Sequence, residues 1–226
     1  MVAVPIADGV IQGTSFFPAG YGFNKTAEDN LPEWPEGGVM VVGNDWGTEC
    51  SFRCARKVGD EATCSTWQGI FKLFRPVFGE DLRDCFFTNA FMGLRAGAGK
   101  STGVCPGRSD STFKGRCHEF LEMQISAQKP RLILALGKWV PDMLAPLAPR
   151  LLRWKNECPT WQSIDEMGPL HEGVRFDGLP GREVVVCALT HPDRPWLNYP
   201  RRNYGPYTCE LGLLRAAVKA AGLSKA

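Results

Sequence analysis

The sequence predicts an α/β protein with three layers, α/β/α, built around a central four-stranded, mostly parallel sheet. Four short runs of aliphatic and β-branched residues have the unbroken hydrophobicity of strands that are buried on both faces. Helical patterns separate these runs, and such alternation favours parallel pairing through crossover connections. The predicted strands are residues 39 to 43, 85 to 91, 132 to 137 and 184 to 189.

Each predicted helix has a start or stop signal. A pattern similar to a capping box begins at Ser65, and apolar residues follow it at helical spacing. The segment from 115 to 128 carries a broad apolar face and is followed by Pro130. Prolines end a short helix predicted over residues 139 to 147, and Gly222 ends an amphipathic helix predicted over 207 to 221.

Length and composition favour a single domain over residues 1 to 226. The chain of 226 residues is 44% hydrophobic, which is enough for one sizeable core. Residues 1 to 38 and 149 to 182 lack clean periodicity, and we interpret both as irregular segments packed on the domain. No apolar run approaches the roughly 20 residues that span a bilayer, and the N-terminus lacks a signal-peptide pattern. We therefore expect a cytoplasmic protein with no membrane partner.

The net charge of +2 is too small to indicate a nucleic-acid partner by itself. Residues 194 to 204, however, interleave arginines with aromatic residues, which suits pairing with phosphates beside stacked bases. An ordinary solvated loop is the competing interpretation of this segment.

Nine cysteines, an odd number, favour reduced thiols over a disulfide framework. Their spacing is irregular and includes no CxxC pair. Metal and iron–sulfur sites usually require closer ligand spacing, so we predict no cofactor.

A glycine-rich stretch that ends in Gly99-Lys100-Ser101 is similar to a phosphate-binding P-loop. The P-loop fingerprint requires a glycine where this sequence has Leu94, and the glycines and proline that follow oppose the helix that would hold the phosphates. A nucleotide hydrolase using Lys100 is therefore an alternative, while a basic loop near DNA is the preferred interpretation.

Polar residues follow the predicted strands at their carboxyl ends. Asp45 lies in the turn after the first strand, Asn89 lies within the second strand run, and His191 lies in the turn after the fourth. Open α/β sheets gather reactive groups at this edge, so an acid and a histidine could meet there. A buried asparagine without partners costs of order 1 to 3 kcal/mol. The amide of Asn89 could pair with a nucleobase or, in a structural role, with neighbouring backbone.

Four strand-end motifs, taken in chain order, resemble those of the uracil-DNA glycosylase superfamily. They are Gly43-Asn44-Asp45-Trp46-Gly47, Thr88-Asn89, the third-strand end and Thr190-His191-Pro192-Asp193. That superfamily has a first motif such as Gly-Gln-Asp-Pro-Tyr, a strand-end asparagine and a His-Pro-Ser motif. The resemblance covers roughly residues 38 to 200, including the junction from Lys129 to Gly137. It implies a uracil-DNA glycosylase-like fold, DNA as partner and a monomer.

The resemblance also implies roles for individual residues. Asp45 would orient the attacking water and offset positive charge on the sugar, while His191 would donate a hydrogen bond to the departing base. The predicted base pocket consists of Gly43, Asn44, Trp46, Gly47, Phe52 and Asn89, where Phe52 either stacks on a flipped base or belongs to the core. The predicted DNA contacts are Lys100, Asp193, Arg194, Trp196, Leu197, Arg201 and Arg202.

Three departures from the superfamily pattern bear on the substrate. Trp46 replaces the usual proline, and Gly47 stands where one branch has a tyrosine that excludes the thymine methyl group, so we expect a wider pocket. Asp193 replaces the serine of His-Pro-Ser and places a negative charge where a phosphate contact is expected, which Arg194 or Arg201 would have to offset. Finally, residues 1 to 38 lack the two cysteines that precede the first motif in the branch that carries an iron–sulfur cluster, and only Cys105 and Cys117 lie where its later pair would fall. A cluster completed by Cys50, Cys54 or Cys64 is the alternative to the predicted absence of a cofactor.

The leading hypothesis is a monofunctional DNA glycosylase that removes uracil or a modified pyrimidine by hydrolysis and leaves an abasic site. Either DNA repair or defence against foreign modified DNA would use this activity. The alternative is a non-catalytic protein with a glycosylase fold that binds uracil-containing or modified DNA.

Overall fold

The fold is seen in a computed structural model, which describes residues 19–20, 36–50, 65–79, 82, 85–95, 103–193 and 195–223. The strands are β1 Ala19–Gly20, β2 Val39–Gly43, β3 Cys85–Asn89, β4 Leu132–Leu136, β5 Leu170–Val174 and β6 Val184–Leu189. The helices are α1 Ser65–Phe78, α2 Ser111–Gln128, α3 Val140–Leu144, α4 Trp161–Met167, α5 Pro195–Asn198 and α6 Glu210–Ala220. Short 3₁₀ turns cover Pro106–Ser109, Ala145–Leu147, Pro149–Trp154 and Tyr199–Arg201.

The strands form one mixed sheet in the order β1-β3-β2-β4-β6-β5. The four predicted strands are its centre and are parallel to one another. The predicted count of four is wrong, because β1 and β5 extend the sheet at its two edges by antiparallel pairing. The sequence of β5, Leu-His-Glu-Gly-Val, lacks an apolar run because it is an edge strand that is only partly buried.

Alternate residues of each central strand face two different hydrophobic clusters. Met40 and Val42 of β2 pack with residues of α2, α3 and α4 on one face. Val39 and Val41 pack with residues of α1 and α6 on the other. Helices therefore cover both faces of the sheet, which explains why the central strands are apolar throughout. None of the described helices is both long enough and apolar enough to span a membrane.

The chain leaves β2 and β4 in opposite directions. After β2 it enters α1, on one face of the sheet, whereas after β4 it enters α3, on the other face. Because β2 and β4 are neighbours, the connections diverge between them and leave a crevice at their carboxyl ends.

Two helical segments differ from the sequence expectations. Helix α2 begins four residues before the predicted 115, because Asp110 caps it by accepting a hydrogen bond from the Phe113 backbone N–H. Residues 149 to 182, expected to be irregular, contain α4 and β5. A capping box between Thr160 and Ser163 begins α4, whose seven residues are too few to display a clear helical period.

Candidate functional site

A cavity of about 240 Å³ opens in the crevice between β2 and β4. The turns after β2, β4 and β6 supply most of its wall, so that Asp45 and His191, 146 positions apart in the sequence, line the same space. The full set of described lining residues is Asn44, Asp45, Arg95, Gly103, Leu136, Gly137, Lys138, Trp139, Trp161, His191, Asp193 and Asn198.

The Asp45 carboxylate is almost entirely buried and forms an ion pair with Arg95. The two side chains are 3% and 8% exposed, and Arg95 Nη2 lies 2.6 Å from Asp45 Oδ2. Arg95 Nε donates to both carboxylate oxygens at 3.2 Å. The Gly47 backbone N–H donates to Oδ1 and the Asn44 amide donates to Oδ2, each at 2.9 Å. Asp45 is therefore held in one orientation by three neighbours.

Backbone pairing beyond β3 brings Arg95 to this position. The Ala90 and Phe91 N–H groups donate to the carbonyl oxygens of Gly43 and Asn44, and the Arg95 N–H donates to that of Gly47. Gly47 has φ of +74°, a left-handed conformation that side chains disfavour, which accounts for the glycine in this turn. The turn after β2 therefore runs beside the segment after β3, and Arg95 faces Asp45 across it.

The Asn44 side chain has a fixed orientation because its Nδ2 donates to Asp45. A flipped amide would instead place Oδ1 against the carboxylate oxygen, two acceptors facing each other. In the described structure the Asn44 Oδ1 is buried and accepts no hydrogen bond. The cavity wall thus contains an amide oxygen with unused acceptor capacity.

His191 is held as a neutral imidazole with a defined tautomer. The Asp193 backbone N–H donates to His191 Nδ1 at 3.3 Å, which leaves the ring proton on Nε2. Burial lowers the pKa of His191, and the nearby Asp193 and Asp45 carboxylates oppose this effect only in part. Nε2 is therefore a hydrogen-bond donor at neutral pH. Gly137 lies directly beside His191 and has φ of +91°, a conformation that residues with a Cβ rarely adopt, which accounts for the glycine at this position.

Asp193 stabilises the turn that carries His191. Its carboxylate accepts a hydrogen bond from the hydroxyl of Ser65, at the start of α1. Gly69, one turn further along α1, packs directly against Pro192, because a Cβ at this position would approach Pro192 carbon atoms within 3 Å. The Asp193 carboxylate, which is expected to oppose a phosphate contact, is thus hydrogen-bonded to the first residue of α1. The role of Asp193 in DNA contact stays a prediction.

Asn89 and Gly43 lie side by side at the ends of β3 and β2, in register. Asn89 is 2% exposed and, among the described residues, is not part of the cavity wall. Trp46 and Gly47 are partly buried in the turn after β2 but likewise do not line the cavity. Base reading by these residues stays a prediction.

Arg202 does not fit the predicted DNA contact, and that prediction is wrong. Its side chain is 0% exposed and pairs with Asp165, which is 1% exposed, at 2.7 Å. Its guanidinium also lies 4.4 Å from the centre of the Trp161 ring, and Trp161 lines the cavity. A fully buried guanidinium with carboxylate partners cannot reach a phosphate, so Arg202 is part of the support behind the cavity.

The other predicted DNA contacts are mixed in their placement. Trp196 and Leu197 on α5 are 68% and 45% exposed, and Arg201 is exposed. Asn198, which lines the cavity, lies between them in the sequence, so this exposed segment adjoins the cavity wall. The predicted residues Phe52, Lys100 and Arg194 lie outside the described residues.

The described cysteines contribute little to this site, and Cys54 and Cys64 lie outside the described residues. Cys105 and Cys117, which lie where a late cluster pair would fall, are free thiols buried in the hydrophobic core. Burial raises the pKa of Cys105 to about 12, an effect strengthened by the charge of Asp45. Within the described residues, no group of three or more His, Cys, Asp or Glu side chains could hold a metal ion. The absence of a cofactor stays a prediction.

Sequence reasoning missed several residues of the cavity wall. Arg95 lies inside the P-loop-like stretch, in which only the Gly-Lys-Ser end resembles a known motif. Lys138 and Trp139 directly follow β4, a position that could have been found by applying the strand-end rule to all four strands. They pack together, with Lys138 Nζ 4.7 Å from the centre of the Trp139 ring. Trp161 comes from α4, which the sequence did not reveal.

No protein-family model matches this sequence, and a search of curated proteins returns no match. The geometry of the cavity and the motif order are therefore the basis for a functional proposal.

Proposed function

We propose that this protein is a monofunctional DNA glycosylase that hydrolyses the N-glycosidic bond of uracil or a modified pyrimidine. The observation that carries the proposal is that Asp45 and His191 line one cavity at the carboxyl edge of the sheet. The order of the polar motifs at the ends of β2, β3 and β6 supports a uracil-DNA glycosylase-like fold in three layers.

The cavity size suits a single base. Its volume of about 240 Å³ is slightly below the roughly 300 to 1,000 Å³ of sites for drug-sized ligands. A base inside a duplex cannot reach such a recess, so the nucleotide has to be flipped out of the stack. The exposed Trp196 and Leu197, in the segment that adjoins the cavity wall, are suited to fill the gap that a flipped base leaves.

The two main side chains match the charges that develop as the bond breaks. The neutral His191 can donate its Nε2–H to an oxygen of the departing base, which gains negative charge. The Asp45 carboxylate can stabilise the oxocarbenium-like sugar, which gains positive charge. The base leaves with the bonding electrons, water adds to the sugar carbon, and the proton that the water gives up ends on the departed base, so that the products are an abasic site and the free base. Arg95 offsets part of the charge of Asp45, so its placement matters to this step.

A second candidate is a non-catalytic protein that binds uracil-containing or modified DNA. The observation in its favour is that the Asp45 oxygens already accept hydrogen bonds from Arg95, Gly47 and Asn44. A carboxylate occupied in this way has reduced capacity to bind a water. Such a protein would still use the cavity and the exposed residues of α5 to hold a flipped nucleotide.

The two candidates are separated by a panel of duplex and single-stranded oligonucleotides, each with one uracil or modified pyrimidine. After incubation, alkali cleaves abasic sites, and gel electrophoresis reveals the break. The glycosylase proposal predicts scission at one or more lesions and none in the unmodified control strand. Tight binding to a lesion with no scission would support the binder, and neither scission nor lesion-dependent binding would refute both.

A further inference from the structure

The Asp45 carboxylate has no acceptor site left for a water. A carboxylate offers roughly four acceptor sites. Asn44 Nδ2, Gly47 N and two nitrogens of Arg95 donate to it at 2.6 to 3.2 Å. The guanidinium alone spans both oxygens, the fork geometry that restricts a carboxylate most strongly.

Arg95 is itself fixed by contacts to two further segments of the chain. Its Nη2 also donates to the Gly103 carbonyl oxygen at 3.0 Å, and its backbone forms a bridge with Thr48. It therefore cannot swing away from Asp45 without breaking contacts to two further segments. A long, flexible side chain held at both the backbone and the guanidinium has lost most of its rotamer freedom.

We propose that Arg95 is a positioning residue that locks Asp45 and restricts it to acting as a fixed charge rather than as the base that binds the attacking water. The inference rests on the proposed glycosylase function and deepens it. The guanidinium contacts both carboxylate oxygens within a buried wall, and this fork sets the direction in which the carboxylate faces the cavity. The attacking water is then held by a different acceptor, and Asp45 contributes electrostatically.

The chain offers a matched control for the loss of an arginine ion pair. Arg175 and Glu183 also form an arginine–carboxylate ion pair, in which Nη2 and Nε donate to a single oxygen, Oε1, at 2.6 and 3.1 Å. Their side chains are 78% and 56% exposed, and neither lines the described cavity. Arg175→Met removes an exposed, ion-paired guanidinium that does not line the described cavity, so it should leave base release and stability unchanged.

The test measures single-turnover base release by the wild-type protein, Arg95→Lys, Arg95→Met, Asp45→Asn and the double variant, from pH 5 to 8. The substrate is the panel oligonucleotide that the wild-type protein cleaves fastest. Binding is measured separately on the same oligonucleotide with a 2′-fluoro substituent that resists cleavage. The base-release rates of these variants form one double-mutant cycle. Urea unfolding gives the free energy of unfolding of each variant, which forms a second double-mutant cycle that does not depend on activity.

The proposal predicts that Arg95→Met and Arg95→Lys slow base release at least tenfold while binding changes less than threefold. In Arg95→Met the carboxylate keeps only the hydrogen bonds from Asn44 and Gly47, so its orientation is no longer fixed and base release slows while DNA binding persists. The double variant should be no slower than the slower single variant, because residues that act as a unit are not additive.

Several results would overturn the proposal. A base-release rate for Arg95→Lys within threefold of the wild-type rate would show that the fork is not needed. Losses that multiply in the double variant would show that the two residues act separately. If wild-type protein releases no base, the proposed function fails, and the unfolding cycle then decides alone whether Asp45 and Arg95 form an energetic pair.

Discussion

Replacing Arg202 with methionine should destabilise the protein strongly without a direct effect on DNA contact. Arg202 Nε donates to both oxygens of Asp165 at 2.9 and 3.0 Å, and Nη1 lies 3.5 Å from Glu210 Oε2. The guanidinium also donates to the Ala188 carbonyl oxygen of β6 at 3.4 Å. Methionine fills much of the same volume, so the main change is the loss of the cation between two buried carboxylates.

The magnitude follows from burial. The side chains of Arg202, Asp165 and Glu210 are 0%, 1% and 2% exposed. Removing one partner from a buried ion pair costs about 3 to 5 kcal/mol, because the remaining charge is left without compensation. In a protein of 150 to 250 residues each kcal/mol lowers Tm by roughly 2 to 4 °C. Arg202→Met should therefore melt roughly 6 to 20 °C below the wild-type protein.

The assay is urea unfolding at several pH values, with Arg201→Met as the control. Arg201 is adjacent but exposed, so its loss should change stability by less than about 0.5 kcal/mol. Burial raises the pKa of Glu210, and Arg202 opposes that effect. A carboxyl group with a raised folded-state pKa loses stability as pH rises, so the deficit of Arg202→Met should shrink between pH 8 and 5. Equal stability of the two variants would refute this reasoning.

Three further perturbations test other parts of the structure. Gly69→Ala should destabilise by about 1 to 3 kcal/mol because its Cβ would meet Pro192, whereas Gly115→Ala, with open space around it, should not; thermal unfolding compares them. Burial lowers the pKa of His171 to about 4, so stability should fall as pH drops from 6.5 towards 4, and His171→Phe should abolish up to about 3 kcal/mol of that dependence in urea titrations. Trp196→Ala should weaken DNA binding by about 1 to 3 kcal/mol in fluorescence anisotropy while leaving Tm unchanged, and undiminished affinity would remove Trp196 from the DNA contact.

The central strands could be predicted because parallel strands buried on both faces have to be apolar at every position. The runs that begin at Val39, Cys85, Leu132 and Val184 therefore stand out. The same reasoning cannot find β5, which is only partly buried and includes His171 and Glu172. Sheet edges depend on tertiary pairing more than on local hydrophobicity.

The candidate site could be predicted only where a residue directly follows a strand. Asp45 and His191 obey that rule, since the sheet brings their turns to one edge. Arg95 does not, because its approach to Asp45 depends on backbone pairing between the turns after β2 and β3. Arg201 and Arg202 look alike in the sequence, and only the packing of α4 and α6 decides that one is exposed and the other buried.

The most direct test of the central claim measures the release of free base by mass spectrometry. The substrate is the panel oligonucleotide that the wild-type protein cleaves fastest, and the proteins compared are the wild type, Asp45→Asn and His191→Ala. The cavity geometry predicts that the wild-type protein releases the base and that both variants release it at least a hundredfold more slowly while still binding the DNA. Variants as fast as the wild-type protein, or a wild-type protein that releases no base, would contradict the claim that Asp45 and His191 form a glycosylase site.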